Sequence, residues 1–292
     1  MTGADLFGTL PNELLQHVLS FLPGKGDAFR LFVDNLLSHR NEVVQLRSFE
    51  IDDLVIGLPA DYAITSDDDD DDYEDGEDED RHIPEMNIDP SVDRWIMYAL
   101  STCRATSLTA RFSDEIGVLW RPLDPNAFAS KHLTTMHLQV VLLTDGLLDF
   151  SPFPALQDLT LDGCRLHGDA LVSPSLQRLI IIHCDIPIGW YTAGGTTTVR
   201  ISTPSLRHLQ FSDGYDGEQT VVSLDRMPWL TTAGIELTGR TRMYPGNSRD
   251  GCLLLQGLSE ATTLELTASP LYGMVCQMQP SIKVSFSSLI RW

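Results

Sequence analysis

Residues 257–261, Gly-Leu-Ser-Glu-Ala, stand one residue short of the Gly-x-Ser-x-Gly turn that presents a nucleophilic serine between a strand and a helix. The second glycine is replaced by Ala261, and the segment leads toward a Leu-rich strand pattern. Acyl-transfer chemistry at Ser259 is therefore not expected. Gly24-x-Gly26 begins like a dinucleotide loop, but position 29, where the third glycine belongs, is Phe29. No Gly-x-x-x-x-Gly-Lys-Ser/Thr phosphate loop occurs. The eight histidines show no His-Glu-x-x-His pair and no zinc-type spacing to a cysteine. Cys103, Cys164, Cys184, Cys252 and Cys276 are odd in number and form no Cys-x-x-Cys pair, which fits a reducing compartment better than a disulfide framework.

The acidic run is the remaining candidate for cation chemistry. Asp67 to Asp72, Glu74, Asp75, Glu77, Asp78, Glu79 and Asp80 supply 12 of the 41 acids. With Gly76 at the sixth place of a calcium loop, Tyr73 falls third and His82 twelfth, where oxygen ligands are required. The loop therefore fails, and the run reads as a disordered, solvated insertion at about residues 62–84. These templates together predict no enzyme, no cofactor and no metal centre.

Outside the run, 29 acids still face 20 bases, within a whole-chain charge of -21. Such a surface repels phosphate, so neither nucleic acid nor an anionic membrane is an expected partner. The N-terminus lacks the basic start and apolar run of a signal peptide, and no stretch reaches the ~20 apolar residues of a membrane span. The expectation is a soluble protein, cytoplasmic or nuclear.

The elements that would position a site are legible as repeats. Leu156-x-x-Leu159-x-Leu161-x-x-Cys164-x-Leu166 is followed 20 residues later by Leu176-x-x-Leu179-x-Ile181-x-x-Cys184-x-Ile186. Both fit the leucine-rich-repeat pattern at every position. Looser copies begin at Leu46, Ala105, Leu133, Leu206, Leu230 and Ala261; from Ala105 onward the spacings are 28, 23, 20, 30, 24 and 31 residues. Within each copy the L-x-L pair points inward from a short strand, and the cysteine faces loop backbone. One coil cannot bury its own apolar face, so coils must stack. The prediction is α/β: a leucine-rich-repeat solenoid of irregular coils with a parallel sheet, over residues 46–292. Pro152, Pro154, Pro174 and Pro204 are predicted to lie in turns just before strands, where a missing N–H is tolerated. Residues 281–292 show no clear capping unit. The outward strand residues Asp158, Thr160, Arg178, Ile180, His208 and Gln210 are the candidates for contact with a target.

Residues 10–23 form a second signal. Pro11 suits a first helical turn, Leu14, Leu15, Val18, Leu19 and Leu22 make one apolar stripe, and Pro23-Gly24 stops it. Leu10-Pro11-x-Glu13-Leu14-Leu15-x-x-Val18-Leu19-Ser20-Phe21-Leu22-Pro23 resembles the opening half of an F-box, and Asp27-Ala28-Phe29-Arg30 resembles the start of its second helix. With the Ser/Thr-Pro-Ser-Leu phrases at Ser173 and Thr203, the chain resembles the plant-type F-box/leucine-rich-repeat family.

That resemblance implies a short helical segment over residues 1–45 that docks on a Skp1-type adaptor, and through it on a cullin. Leu10, Pro11, Leu14, Val18 and Phe21 would be the anchors. It implies a substrate-recognition subunit of a ubiquitin ligase, with an unidentified target protein on the repeat surface. The sequence departs from the family after Arg30. The usual Val-Ser-x-Arg-Trp-x-x-Leu-Trp continuation is missing, and Leu31 to Arg40 resembles a helix that normally leads toward the repeats. The alternative is a truncated, repeat-only binding module that no longer joins a ligase.

Overall fold

The computed structural model describes residues 46–55, 90–113, 128–185, 198–213, 221–237, 261–268 and 282–287, with isolated positions Leu31, Val33, Asp34, Leu119, Trp120, Pro122, Leu258 and Glu260. The F-box-like anchors at positions 10–21 and the acidic segment at 62–84 lie outside the described residues.

The chain is α/β, with a mostly parallel sheet and few helices. Among the described residues the main sheet has nine strands: β1 (Ser48–Val55), β2 (Ser107–Ser113), β3 (Thr135–Gln139), β5 (Asp158–Asp162), β8 (Arg178–Cys184), β10 (His208–Asp213), β12 (Thr232–Leu237), β13 (Thr263–Ala268) and β14 (Ile282–Ser287), in that spatial order. Shorter strands form two further parallel ladders. β4 (Leu142–Thr144) pairs with β6 (Arg165–His167), and β7 (Ala170–Val172) pairs with β9 (Thr198–Ser202), which pairs with β11 (Val221–Leu224). Helix α1 (Pro90–Met97) runs into a π-helical turn at Tyr98–Thr102, and α2 is a single turn at Asp145–Leu148.

The main sheet follows the repeat register predicted from the sequence. Phe49 pairs with Leu108, Leu108 with Met136, Met136 with Leu159, Leu159 with Leu179, Leu179 with Leu209, Leu209 with Ala233 and Ala233 with Leu264. The looser copies thus occupy the same register as the two complete ones. In the coil from Leu156, the side chains of Leu156, Leu159, Leu161, Cys164, Leu166 and Leu171 are all buried in one continuous core. Fully burying a leucine contributes about 1.5–3 kcal/mol, so these positions supply much of what holds this part of the sheet on the core.

The turns repeat as well. Just ahead of the strands one carbonyl accepts two N–H groups of the next coil. Thr134 O takes Gln157 N and Asp158 N, Gln157 O takes Gln177 N and Arg178 N, and Gln177 O takes Arg207 N and His208 N, all at 2.8–3.0 Å. The predicted prolines sit in these turns, where Phe153 N donates to Phe150 O and Leu206 N to Thr203 O. Ala261 N donates to Leu258 O at 3.0 Å, just ahead of β13. Two residues past three of the L-x-L pairs the backbone turns through positive φ, at Val140 (59°), Gly163 (57°) and His183 (54°). Only Gly163 has the residue type that this conformation favours. Cys164 Sγ donates to Leu138 O at 3.4 Å and Cys184 Sγ to Leu161 O at 3.5 Å, so each thiol bonds to the backbone of a neighbouring main-sheet strand. Burial, with Cys164 beside it, pushes the Cys184 thiol well above its ordinary range, as suits a structural cysteine.

The structure corrects one expectation. The sheet is not wholly parallel: β14 pairs with β13 antiparallel, with Phe286 opposite Leu264, Val284 opposite Leu266 and Ile282 opposite Ala268. Residues 281–292 carry no leucine-rich pattern, but Ile282, Val284 and Phe286 alternate with period two. That alternation suits a strand of either direction.

At the other side of the sheet, α1 packs Val92 and Ile96 into the core, followed by Ala99 and Leu100 in the π-helical turn. Asp34 reaches α1 from the segment after Arg30. Its carboxylate accepts Arg94 Nη2 at 2.8 Å and Trp95 Nε1 at 2.9 Å. Asp34 thus attaches directly to α1.

Candidate functional site

In a strand, successive side chains alternate between faces, so the residues flanking the L-x-L pairs must share the face opposite the core. β3 and β5 each alternate partly exposed and buried positions along their length, and β8 does so over Arg178–Ile182. The parallel register then sets these outward residues in rows across the sheet. Asp158, Arg178 and His208 occupy one row, and Thr160, Ile180 and Gln210 the next. All six residues singled out in the sequence therefore form one contiguous block on β5, β8 and β10.

The first row is braced laterally. Arg178 Nε lies 3.4 Å from Asp158 Oδ1, and His208 Nδ1 meets the Thr232 hydroxyl. The Arg178–Asp158 pair is half-exposed and contributes little to stability, but it fixes where both charges point. The second row has no charge on these three strands, and Ile180 at its centre is a partly exposed apolar side chain. Ile182, one row further on, continues the apolar patch. Beside this row Asp162 Oδ1 accepts a hydrogen bond from His183 Nδ1 at 3.0 Å.

His137 on β3 is the perturbed titratable group of this face. Its Nε2 is buried without a hydrogen-bond partner among the described residues. Burial lowers its pKa first and the nearby Arg111 guanidinium lowers it further, with Asp162 opposing. The unfolded imidazole, near its ordinary value of about 6.5, then binds protons that the folded one refuses. Stability is therefore full above that value and falls as pH drops from it toward the folded pKa. His137→Gln is expected to shrink the drop in melting temperature between pH 7.5 and pH 5.5. An unchanged drop would show that the acid sensitivity arises elsewhere.

Three features escaped the sequence reading. Ile182 follows a consensus cysteine-coil pattern and carried no separate signal. Gly234 interrupts the outward row between Gln210 and Glu265, and a glycine inside a strand was the available cue. Trp229 is 64% exposed in the turn before β12, where the sister coils carry Ser175 and Ser205. With Ser175, Gln177, Ser205 and Arg207 it borders a shallow depression of 240 Å³.

Compared with protein-family models, with curated proteins and with solved structures, the chain matches none. Among the described residues no group of three or more His, Cys, Asp or Glu side chains could hold a metal, and no helix is long and apolar enough to cross a membrane. What the described site offers is an open, ordered face of mixed polar and apolar side chains on rigid strands.

Proposed function

We propose that the chain is a protein-binding adaptor built as a leucine-rich-repeat solenoid, the substrate-recognition subunit of a Skp1–cullin–F-box ubiquitin ligase. The observation that carries the binding half is the register. The strands of the eight pattern copies lie side by side in chain order in one sheet, so their outward residues make a continuous face too open to enclose a small substrate and broad enough for a protein. Asp158, Thr160, Arg178, Ile180, His208 and Gln210 would meet the target at its centre. The ligase half rests on the F-box-like sequence of residues 10–30, with Leu10, Pro11, Leu14, Val18 and Phe21 entering an adaptor groove as an apolar helix face. The protein would supply proximity, leaving ubiquitin transfer to other subunits.

The second reading is a repeat-only binding module outside any ligase. The Asp34 contacts with Arg94 and Trp95 favour it. They tie Asp34, four residues past Arg30, to α1, where an F-box would continue with its own helices. Co-purification with a Skp1-type adaptor separates the two. The ligase reading expects the intact chain to retain the adaptor and Leu14→Asp/Val18→Asp to lose it. An intact chain that fails to bind leaves the repeat-only reading.

A further inference from the structure

The turns that enter the main sheet carry the reverse of the chain's charge. Backbone hydrogen bonds join them into one rim, from Ser107 N on Arg47 O and Thr134 N on Thr106 O to Arg207 N on Gln177 O and Thr231 N on Arg207 O. Residues 102–106, 128–134, 151–157, 173–177, 203–207 and 227–231 contain no Asp or Glu, in a chain of 41 acids and 20 bases. Among the described residues, Arg94, Arg111, Arg165, Arg178, Arg200 and Arg226 each stand within 3.9 Å of a carboxylate. Among the same residues Arg47, Arg104, Lys131 and Arg207 have no such partner. All four are exposed, and all four lie on this rim.

The β10–β12 end of the rim holds a second, independent feature. Trp229 is 64% exposed, at a position where the sister coils carry Ser175 and Ser205, so the turn itself does not require an indole. With Gln177 and Arg207 it borders the depression of 240 Å³. Ser175 Oγ donates to Phe153 O at 3.2 Å and Ser205 Oγ to Pro174 O at 2.6 Å, which occupies both hydroxyl protons. The side chains of Gln177 and Arg207 have no partner among the described residues. An exposed indole beside two unused donor groups offers a partner both apolar contact and hydrogen bonds to an acceptor, the mixture found at the anchors of protein interfaces.

The spacing selects the kind of partner. Arg47, Arg104 and Lys131 enter three consecutive strands, and Arg207 enters β10, three strands beyond β3. At ~4.8 Å per strand the rim from Arg47 to Arg207 is about 24 Å long, the length of about seven residues of extended chain. A small anion would touch one or two of these bases and leave the indole bare. We propose that this rim is a docking strip for an extended acidic segment of a partner protein, with an apolar side chain of that segment lying against Trp229. The rim is separate from the outward face of the strands, so the proposal stands without the adaptor reading.

The test uses the full chain and a fluorescein-labelled peptide of seven glutamates with one leucine near its end. Anisotropy is read at about 0.15 M salt, where exposed charges more than ~8 Å apart are largely screened. The intact chain is expected to bind. Binding is expected to fall at least ten-fold in Arg207→Gln/Trp229→Ser and in Arg47→Gln/Arg104→Gln/Lys131→Gln, and to hold in Arg200→Gln, which lies on β9. The first pair restores the residue types of the sister coils, Gln177 and Ser205, and melting temperatures check that every variant is folded. Equal loss in Arg200→Gln would reduce the strip to diffuse charge and overturn it. Full binding by Trp229→Ser alone would remove the depression from the strip. An intact chain that fails to bind overturns the proposal; if binding then appears once Asp67 to Asp72 are changed to asparagine, the chain's own acidic run is the occupant. Tighter binding of a single-stranded RNA of equal charge overturns the choice of a protein partner.

Discussion

Leu159→Ala lowers the unfolding free energy by about 2–5 kcal/mol, and Thr160→Ala next to it changes it by no more than about 0.5 kcal/mol. The two positions are adjacent on β5 but face opposite ways. Leu159 is fully buried in the continuous core. It pairs in register with Met136 on one side and Leu179 on the other, so the cavity left by alanine opens against both neighbouring strands. Thr160 stands on the outer face, where water can replace what the side chain touched. At about 2–4 °C per kcal/mol for a domain of this size, the first substitution shifts the melting temperature by roughly 4–20 °C and the second by about 2 °C at most. Denaturant titration of the two variants checks this directly. Comparable losses at both positions would mean that the alternation of faces along β5 is wrong, and the block of target-contacting residues would lose its basis.

Ile180→Asp removes target binding while leaving the fold intact. Ile180 is an uncharged anchor at the centre of the six-residue block, with Ile182 beside it and polar residues around. Buried apolar anchors ringed by polar contacts carry most of the energy of a protein interface, each accounting for about 2 kcal/mol or more, or roughly 30-fold in affinity. An aspartate there would lose the apolar contact and bury a charge beneath the partner. Glu50→Gln, at the β1 end of the same face, is expected to change affinity by less than about three-fold, as suits a solvated rim position. The measurement is the affinity, for each variant, of proteins that co-purify with the intact chain, alongside melting temperatures. Unchanged affinity in Ile180→Asp would move the binding surface off this face, with the exposed Trp229 turn as the next place to look.

Most of the main sheet was legible because its signal is local and repeated. The L-x-L pair marks a strand even where alanine replaces leucine, as at Ala110 and Ala233, since the neighbouring copies supply the frame. The outward residues follow from that frame by alternation alone, and so the six candidates came out contiguous. The shorter ladders β4–β6 and β7–β9–β11 were not legible. They lie in the stretches whose length changes from coil to coil, where no fixed offset from the L-x-L pair predicts pairing. β14 belongs to no copy. Its alternating residues announce a strand without a direction, and its antiparallel pairing is decided by the chain returning to β13. Trp229 and Gly234 were visible as residue types, but their importance depends on exposure and on what stands on the adjacent strand. The F-box-like anchors lie outside the described residues, so that part of the reading remains a statement about sequence.

The reversal at β14 also bears on self-association. A stack of like coils with every strand parallel has ends that complement each other, so a second copy could join head to tail, and a third after it, as an open filament. With β14 antiparallel to β13 the last strand no longer repeats the direction of the first. A copy offering its β1 edge there would meet backbone running the opposite way, out of the register that holds the coils together. The reversal at β14 thus breaks the head-to-tail match in strand direction that the parallel strands before it keep.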